Sequence, residues 1–210
     1  MNKPFEYVNT ITAGIGMALS YVGFVFLIIL AAQYGTYWHV MCCSVYGASL
    51  VILHTASTFY HGITNTNLKI KFKYFDYVGI YMLIAGTYTP IMLINLYGGL
   101  GWTIFGIVWT LAVIGIFFRV KDITPFKNYE NYLYLAMGWL IIFTIKPFYE
   151  SIDFVGFLLV VLGGLSFTFG IFFNIWDKKQ KYFHGIWHFF VILGCGCHYF
   201  SILFYVIPYK

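Results

Sequence analysis

Charge is scarce in this chain. Twelve Lys and Arg and seven Asp and Glu make up 9% of 210 residues, where a soluble domain carries roughly 25%. No polar shell can be built from so few charges, which excludes a water-soluble fold. There is no Gly-rich phosphate loop and no Gly-x-Ser-x-Gly elbow, so nucleotide-binding and serine-hydrolase classes find no support. The four cysteines fall in two tight pairs, Cys42 with Cys43 and Cys195 with Cys197, inside apolar segments. Helix neighbours one or two positions apart point in different directions, so a disulfide framework is not expected and the four read as small buried apolar residues. Linkers and low-complexity stretches are missing as well, so residues 1–210 read as a single domain.

What is present is hydrophobicity: 61% of residues are hydrophobic and 23% aromatic, with nineteen Tyr, twenty-three Phe and six Trp. Breaking the chain at its polar, Gly and Pro punctuation predicts spans near 13–32, 38–61, 74–96, 99–118, 131–147, 154–176 and 184–207, the fifth being the least apolar. The fold class expected is an all-α membrane protein, a seven-transmembrane-helix bundle. The first run is about 20 residues long, beyond the roughly 7–15 of a signal-peptide core, and is read as the first span. The aromatic excess suits interfacial belts and helix packing.

With seven spans, Lys3, the Lys69/Lys71/Lys73 group, the Arg119/Lys121/Lys127 group and the Lys178/Lys179/Lys181 group share one side. Only Lys146 and Lys210 lie opposite. The positive-inside rule then puts the N-terminus in the cytoplasm and the C-terminus outside. The net charge of +5 is read as a topology signal rather than a nucleic-acid surface, so no nucleic-acid partner is expected.

Ionisable groups inside spans carry the functional information, because burying them in hydrocarbon is costly unless they are partnered. Ser57 and His61 lie four apart on one face of the second span, with His54 seven before His61. Asp76 sits just inside the predicted start of the third. His184 and His188 are an i, i+4 pair opening the seventh, with Cys195 and His198 further along. His61, Asp76, His184 and His188 thus fall at the same end of their helices and can converge. Two imidazoles one turn apart form a clamp, a third completes three nitrogen ligands, and an open fourth position is the arrangement of a catalytic zinc site. Asp76 would orient or deprotonate water there, and Ser57 would hold the carboxylate or donate to a developing oxyanion.

The same residues have a plainer reading as interhelical hydrogen bonds, with Asp76 facing headgroups and Ser57 bonded to its own helix. Spacing alone leaves both open. His54 and His198 lie deeper than the cluster, and His39 falls at the far end of the second span as an interfacial residue. Glycines of the first, third and sixth spans permit close helix packing, and Pro90 is expected to kink the third.

Taken in order, Ser57-x-x-x-His61, Asp76, Ala85-Gly86-Thr87-Tyr88-Thr89-Pro90, Gly138-Trp139, Gly163-Gly164-Leu165 and His184-x-x-x-His188 followed by His198 resemble the hemolysin III family. That family is similar to the progestin and adipoQ receptors and, more distantly, to the alkaline ceramidases. The resemblance runs from about Glu6 to the last span. It implies a seven-helix bundle in the cell membrane, zinc as cofactor on the residues matching His61, His184 and His188, and Asp76 contacting a water at the metal's open position. One departure is Ala13, where members usually carry His in an Asn-x-x-Thr-His-Gly stretch. That position is not among the implied ligands.

The function expected first is a zinc-dependent hydrolase of a lipid amide or ester, with Asp76 and Ser57 catalytic and membrane lipids as partners. A pore-forming or cytolytic protein is the alternative, against which no polar stripe runs the depth of any span. A receptor-like regulator of membrane lipid state, with structural zinc, is the third reading.

Overall fold

The computed structural model describes residues 3–177, 180 and 182–208, and among the described residues there is no strand. Helices α1 (Lys3–Tyr34), α2 (Tyr37–Gly62), α3 (Thr66–Pro90), α4 (Gly99–Val120), α5 (Thr124–Gly138), α6 (Ile145–Ser151), α7 (Phe154–Ile175) and α8 (Phe183–Ser201) follow one another along the chain. Seven spans result, because α5, a 3-10 segment Trp139–Thr144 and α6 run together as the fifth. The protein is a multi-pass membrane protein.

Spans two and three are the inner helices: 56% and 67% of their most apolar windows are buried, against 22–39% in the others. Their close packing rests on Gly79, where an added Cβ would lie 2.9 Å from the Cα of Leu53; only a residue without a side chain lets α2 and α3 approach so far. Helix α2 also packs along α1, and α7 along α8. Polar ties cross between helices: the Tyr199 hydroxyl donates to the Gly23 carbonyl at 2.9 Å, Ser166 to Phe190 at 2.8 Å and Trp139 to Thr168 at 3.0 Å.

Helices α1, α3 and α5 begin earlier than the sequence expectation, α1 at Lys3 rather than near residue 13 and α5 at Thr124 rather than near residue 131. Helix α3 begins at Thr66, capped by the Asn65 side chain, which accepts from the Asn67 and Leu68 amides. Asp76 therefore lies ten residues, about 15 Å, inside the helix rather than at its start. The lysine-bearing turns before it are too polar for a hydropathy window, yet lysine is a good helix former. At Pro90, where a kink is expected, α3 passes into a π-helical turn, Ile91–Asn95, that carries the span to its expected end. Proline lacks the amide needed to bond the carbonyl four residues back, and the helix widens there. His39, expected at an interface, caps α2: its Nδ1 accepts from the Thr36 amide at 3.1 Å. Lys178, Lys179, Lys181 and Lys210, used above for orientation, lie outside the described residues, as do the side chains of Lys3 and Lys127.

The fifth span breaks for a local reason. Pro147 cannot bond the carbonyl of Phe143, and its ring crowds that carbonyl, so the helix must restart. Tyr88 of α3 holds the break together: its hydroxyl donates to the Gly138 carbonyl and accepts from the Ile141 amide, both at 2.8 Å. Replacing Tyr88 by Phe strands both backbone groups at a cost of about 1–3 kcal/mol. Thermal unfolding in detergent should show a lower midpoint for Tyr88→Phe and an unchanged one for Tyr132→Phe, whose ring is exposed.

Candidate metal and polar site

His61 comes from the last turn of α2, and His184 and His188 from the first two turns of α8. Their ring nitrogens lie within 4.8 Å of one another, so the three could hold a metal ion. The Nε2 atoms of His61 and His184 are 3.1 Å apart, close to the roughly 3.3 Å between two nitrogens on one tetrahedral zinc.

The proton on each ring follows from its outer partner. His61 Nδ1 faces Glu6 Oε2 at 3.1 Å, and His184 Nδ1 faces Asp177 Oδ2 at 3.3 Å. An ionised carboxylate only accepts, so both Nδ1 atoms carry the hydrogen and donate. His188 Nδ1 lies 2.9 Å from Thr12 Oγ1, whose own hydrogen is directed to the carbonyls of Val8 and Asn9 at 3.0 Å. That nitrogen therefore donates as well. Each Nε2 is then left as a bare lone pair, and those of His61 and His184, 3.1 Å apart, repel each other unless a cation or a proton lies between them. The donor set fits a metal with nitrogen preference, and the outer partners are of the kind that orient metal-bound histidines.

Sequence reasoning missed these three outer residues. Glu6 and Asp177 are two of only seven acids in the chain, five of which (Glu6, Asp76, Asp122, Glu130 and Asp177) fall at the histidine end of the bundle, and that concentration was the available signal. Glu6 is further held by Lys69, whose ammonium is 3.4 Å from it and donates to the Tyr60 carbonyl at 2.7 Å.

Asp76 and Ser57 are brought together with the histidines. Ser57 and Asp76 line a cavity of about 30 Å³ together with His188, His54 and Ala13. That is room for about one or two water molecules. Ala13 is buried at this wall, so the departure from the family pattern falls beside the site rather than in its ligand set. His198 stands apart, its Nε2 3.0 Å from the Val160 carbonyl, and Cys195 is a buried free thiol.

A second polar cluster lies at the same end. Arg119 and Glu130 form a buried pair at 3.0 Å. The guanidinium carbon is 3.4 Å from the centroid of the Tyr77 ring, and the Tyr134 hydroxyl donates to Glu130 at 3.0 Å. Arg119 is thus a structural clamp joining α3, α4 and α5, a role the charge count alone did not reveal. Together with Lys73, Asp122, Asn131 and Asp177 it lines a polar recess of about 670 Å³. Asp177 belongs to both places, joining the recess to the outer side of His184.

A family profile described as "Haemolysin-III related" matches residues 1–199. The chain is 44% identical over 202 residues to "Hemolysin-3 homolog" of Bacillus subtilis (strain 168), covering 96% of this chain and 94% of the relative. It is 43% identical over 203 residues to "Hemolysin-3" of Bacillus cereus, covering 97% and 92%. It is also 26% identical over 174 residues to "Monocyte to macrophage differentiation factor" of Homo sapiens, covering 80% and 72%. With a profile match along nearly its whole length and two relatives above 40% identity, this multi-pass membrane chain belongs to the hemolysin III family.

Proposed function

We propose that this protein is a zinc-dependent membrane hydrolase that cleaves a lipid amide or ester, with its N-terminus and histidine site at the cytoplasmic face. The observation that carries the reading is the set of three histidines whose ring nitrogens lie within 4.8 Å of one another, beside a cavity that His188 lines together with Asp76 and Ser57. His61, His184 and His188 hold the ion, and Glu6, Asp177 and Thr12 fix their rings. The chemistry that zinc supplies in such a site is Lewis acidity toward a carbonyl oxygen and acidification of a water molecule.

Asp76 takes up the proton at its carboxylate and returns it to the leaving group, the ordinary duty of a positioned general base. Ser57, on the wall of the same cavity, donates to that carboxylate. A substrate carbonyl arrives from the bilayer, since the site sits at the ends of apolar spans rather than on a soluble surface. The polar recess around Lys73 and Asp177 gives water and a hydrophilic product a route at the same end of the bundle.

Metal content checks the ligand set. Purified protein should carry about one zinc per chain, and His61→Ala or His184→Ala should lose it. Glu6→Gln and Asp177→Asn should keep the fold and weaken zinc affinity by about 10–100-fold, measured by competition with a chromogenic chelator. Unchanged affinity in both would contradict the role given to the outer carboxylates.

Turnover checks the chemistry. In nanodiscs, fluorescent long-chain amide and ester lipids should be hydrolysed by the zinc-loaded wild type. Asp76→Asn should lose about 10²–10⁴-fold in rate while retaining its metal. Full metal occupancy with no hydrolysis of either lipid class by the wild type would defeat the hydrolase reading.

A further inference from the structure

An apolar groove of about 440 Å³ runs along the side of the bundle between α1 and α8, with Leu50 and His54 of α2 as its floor. It extends along α1 from Gly16 to Leu30, about 21 Å by helix rise. That exceeds the roughly 15 Å depth of one leaflet's half of a 30 Å hydrocarbon core. The length and the mostly apolar lining suit a hydrocarbon chain of a bilayer lipid.

The floor carries one unusual group. His54 is only 5% exposed. Its Nδ1 lies 3.0 Å from both the Leu50 carbonyl and Ser20 Oγ, and the Ser20 hydrogen is already directed to the Gly16 carbonyl at 2.8 Å. The His54 proton therefore sits on Nδ1, and Nε2 is a bare acceptor. Among the described residues nothing donates to it, a costly condition for a buried nitrogen. Nε2 lies against the α1 wall, where an added Cβ on Gly16 would come within 2.9 Å of it. The same imidazole lines the 30 Å³ cavity that holds Ser57, Asp76 and His188. One side chain is thus the partition between the bilayer-facing groove and the polar site.

We propose that this groove binds the acyl chain of a bilayer lipid whose head end carries an N–H or O–H donor. The head end lies at His54, where the donor reaches Nε2 once the ring turns off the α1 wall, and the tail runs along α1 and α8 toward Leu30 and Leu203. Rotation of the His54 ring connects the groove to the cavity, so the groove is a lateral way in for lipid. This last step rests on the hydrolase reading; binding in the groove does not.

The test uses the full-length protein in phosphatidylcholine nanodiscs with a photoactivatable palmitoyl amide, a diazirine being placed near either the amide or the methyl end. Crosslinks mapped by mass spectrometry should fall on Gly16–Ser20 and Ile192 for the first probe and on Phe26–Leu30 and Leu203 for the second. Gly196 lines the groove and faces open space, as does Gly106 on α4 outside it, so Gly196→Phe fills the groove without an internal clash. Labelling should fall at least about 5-fold in Gly196→Phe and stay unchanged in Gly106→Phe and in metal-free His184→Ala. Label spread evenly over all bilayer-facing helices, or unaffected by Gly196→Phe, would overturn the site. Equal labelling by an N-methylated amide probe would overturn the part given to His54. Specific labelling with no hydrolysis would leave the groove standing and remove only the hydrolase reading.

Discussion

Three imidazoles that donate outward through Nδ1 leave three bare lone pairs in one cluster, those of His61 and His184 only 3.1 Å apart. Such an arrangement is unfavourable on its own, and the fold has to impose it. It does so from four elements: Glu6 and Thr12 on α1, His61 closing α2, Asp177 just beyond α7, and the histidine pair opening α8. The placement of these helix ends explains much of the packing. Helices α1 and α8 meet each other and α1 lies along α2, so that each ring finds its partner across a helix boundary. Lys69, from the start of α3, fixes Glu6 from the other side.

Asp76 depends on the same frame by a different route. It is one helix inward, on α3, and reaches the cluster because Gly79 lets α3 close against α2 next to it. Arg119, Glu130 and Tyr134 then hold the outer side of α3 through Tyr77, the residue after Asp76. Polar interactions in hydrocarbon are modest singly, but here they converge on one stretch of one helix. The remaining interior is different in character. A cavity of about 100 Å³ between the helices is lined mostly by apolar residues such as Leu53, Leu83, Phe167 and Trp187. A conducting path would need a polar lining through the bundle, and this interior favours a lipid chemistry at one end over conduction through it.

Much of this was legible in the sequence where the signal is local. Seven apolar runs gave seven spans, and the histidine pair at i, i+4 pointed to a clamp because helix geometry alone puts those rings together. That His61, Asp76 and Ser57 join them was legible from alternating span direction. The start of α3 was not, since hydropathy rejects lysine-bearing turns that helix propensity accepts. Nor were Glu6, Thr12, Asp177 and the Arg119–Glu130 pair, whose roles exist only across helices far apart in the chain. Glu6 and His61 are separated by 55 residues, and no periodicity records such a contact. His54 illustrates the same limit: its spacing from His61 suggested one face, while its hydrogen bonds to Ser20 and Leu50 turn it away from the cluster and toward α1.

X-ray absorption at the zinc edge of the purified, folded protein tests the central claim most directly, because it reads the atoms around the metal rather than the consequences of binding. The account predicts three nitrogen scatterers of imidazole type at about 2.0–2.1 Å together with one oxygen neighbour. A sulfur shell at about 2.3 Å, or a folded protein that retains no metal, would contradict it.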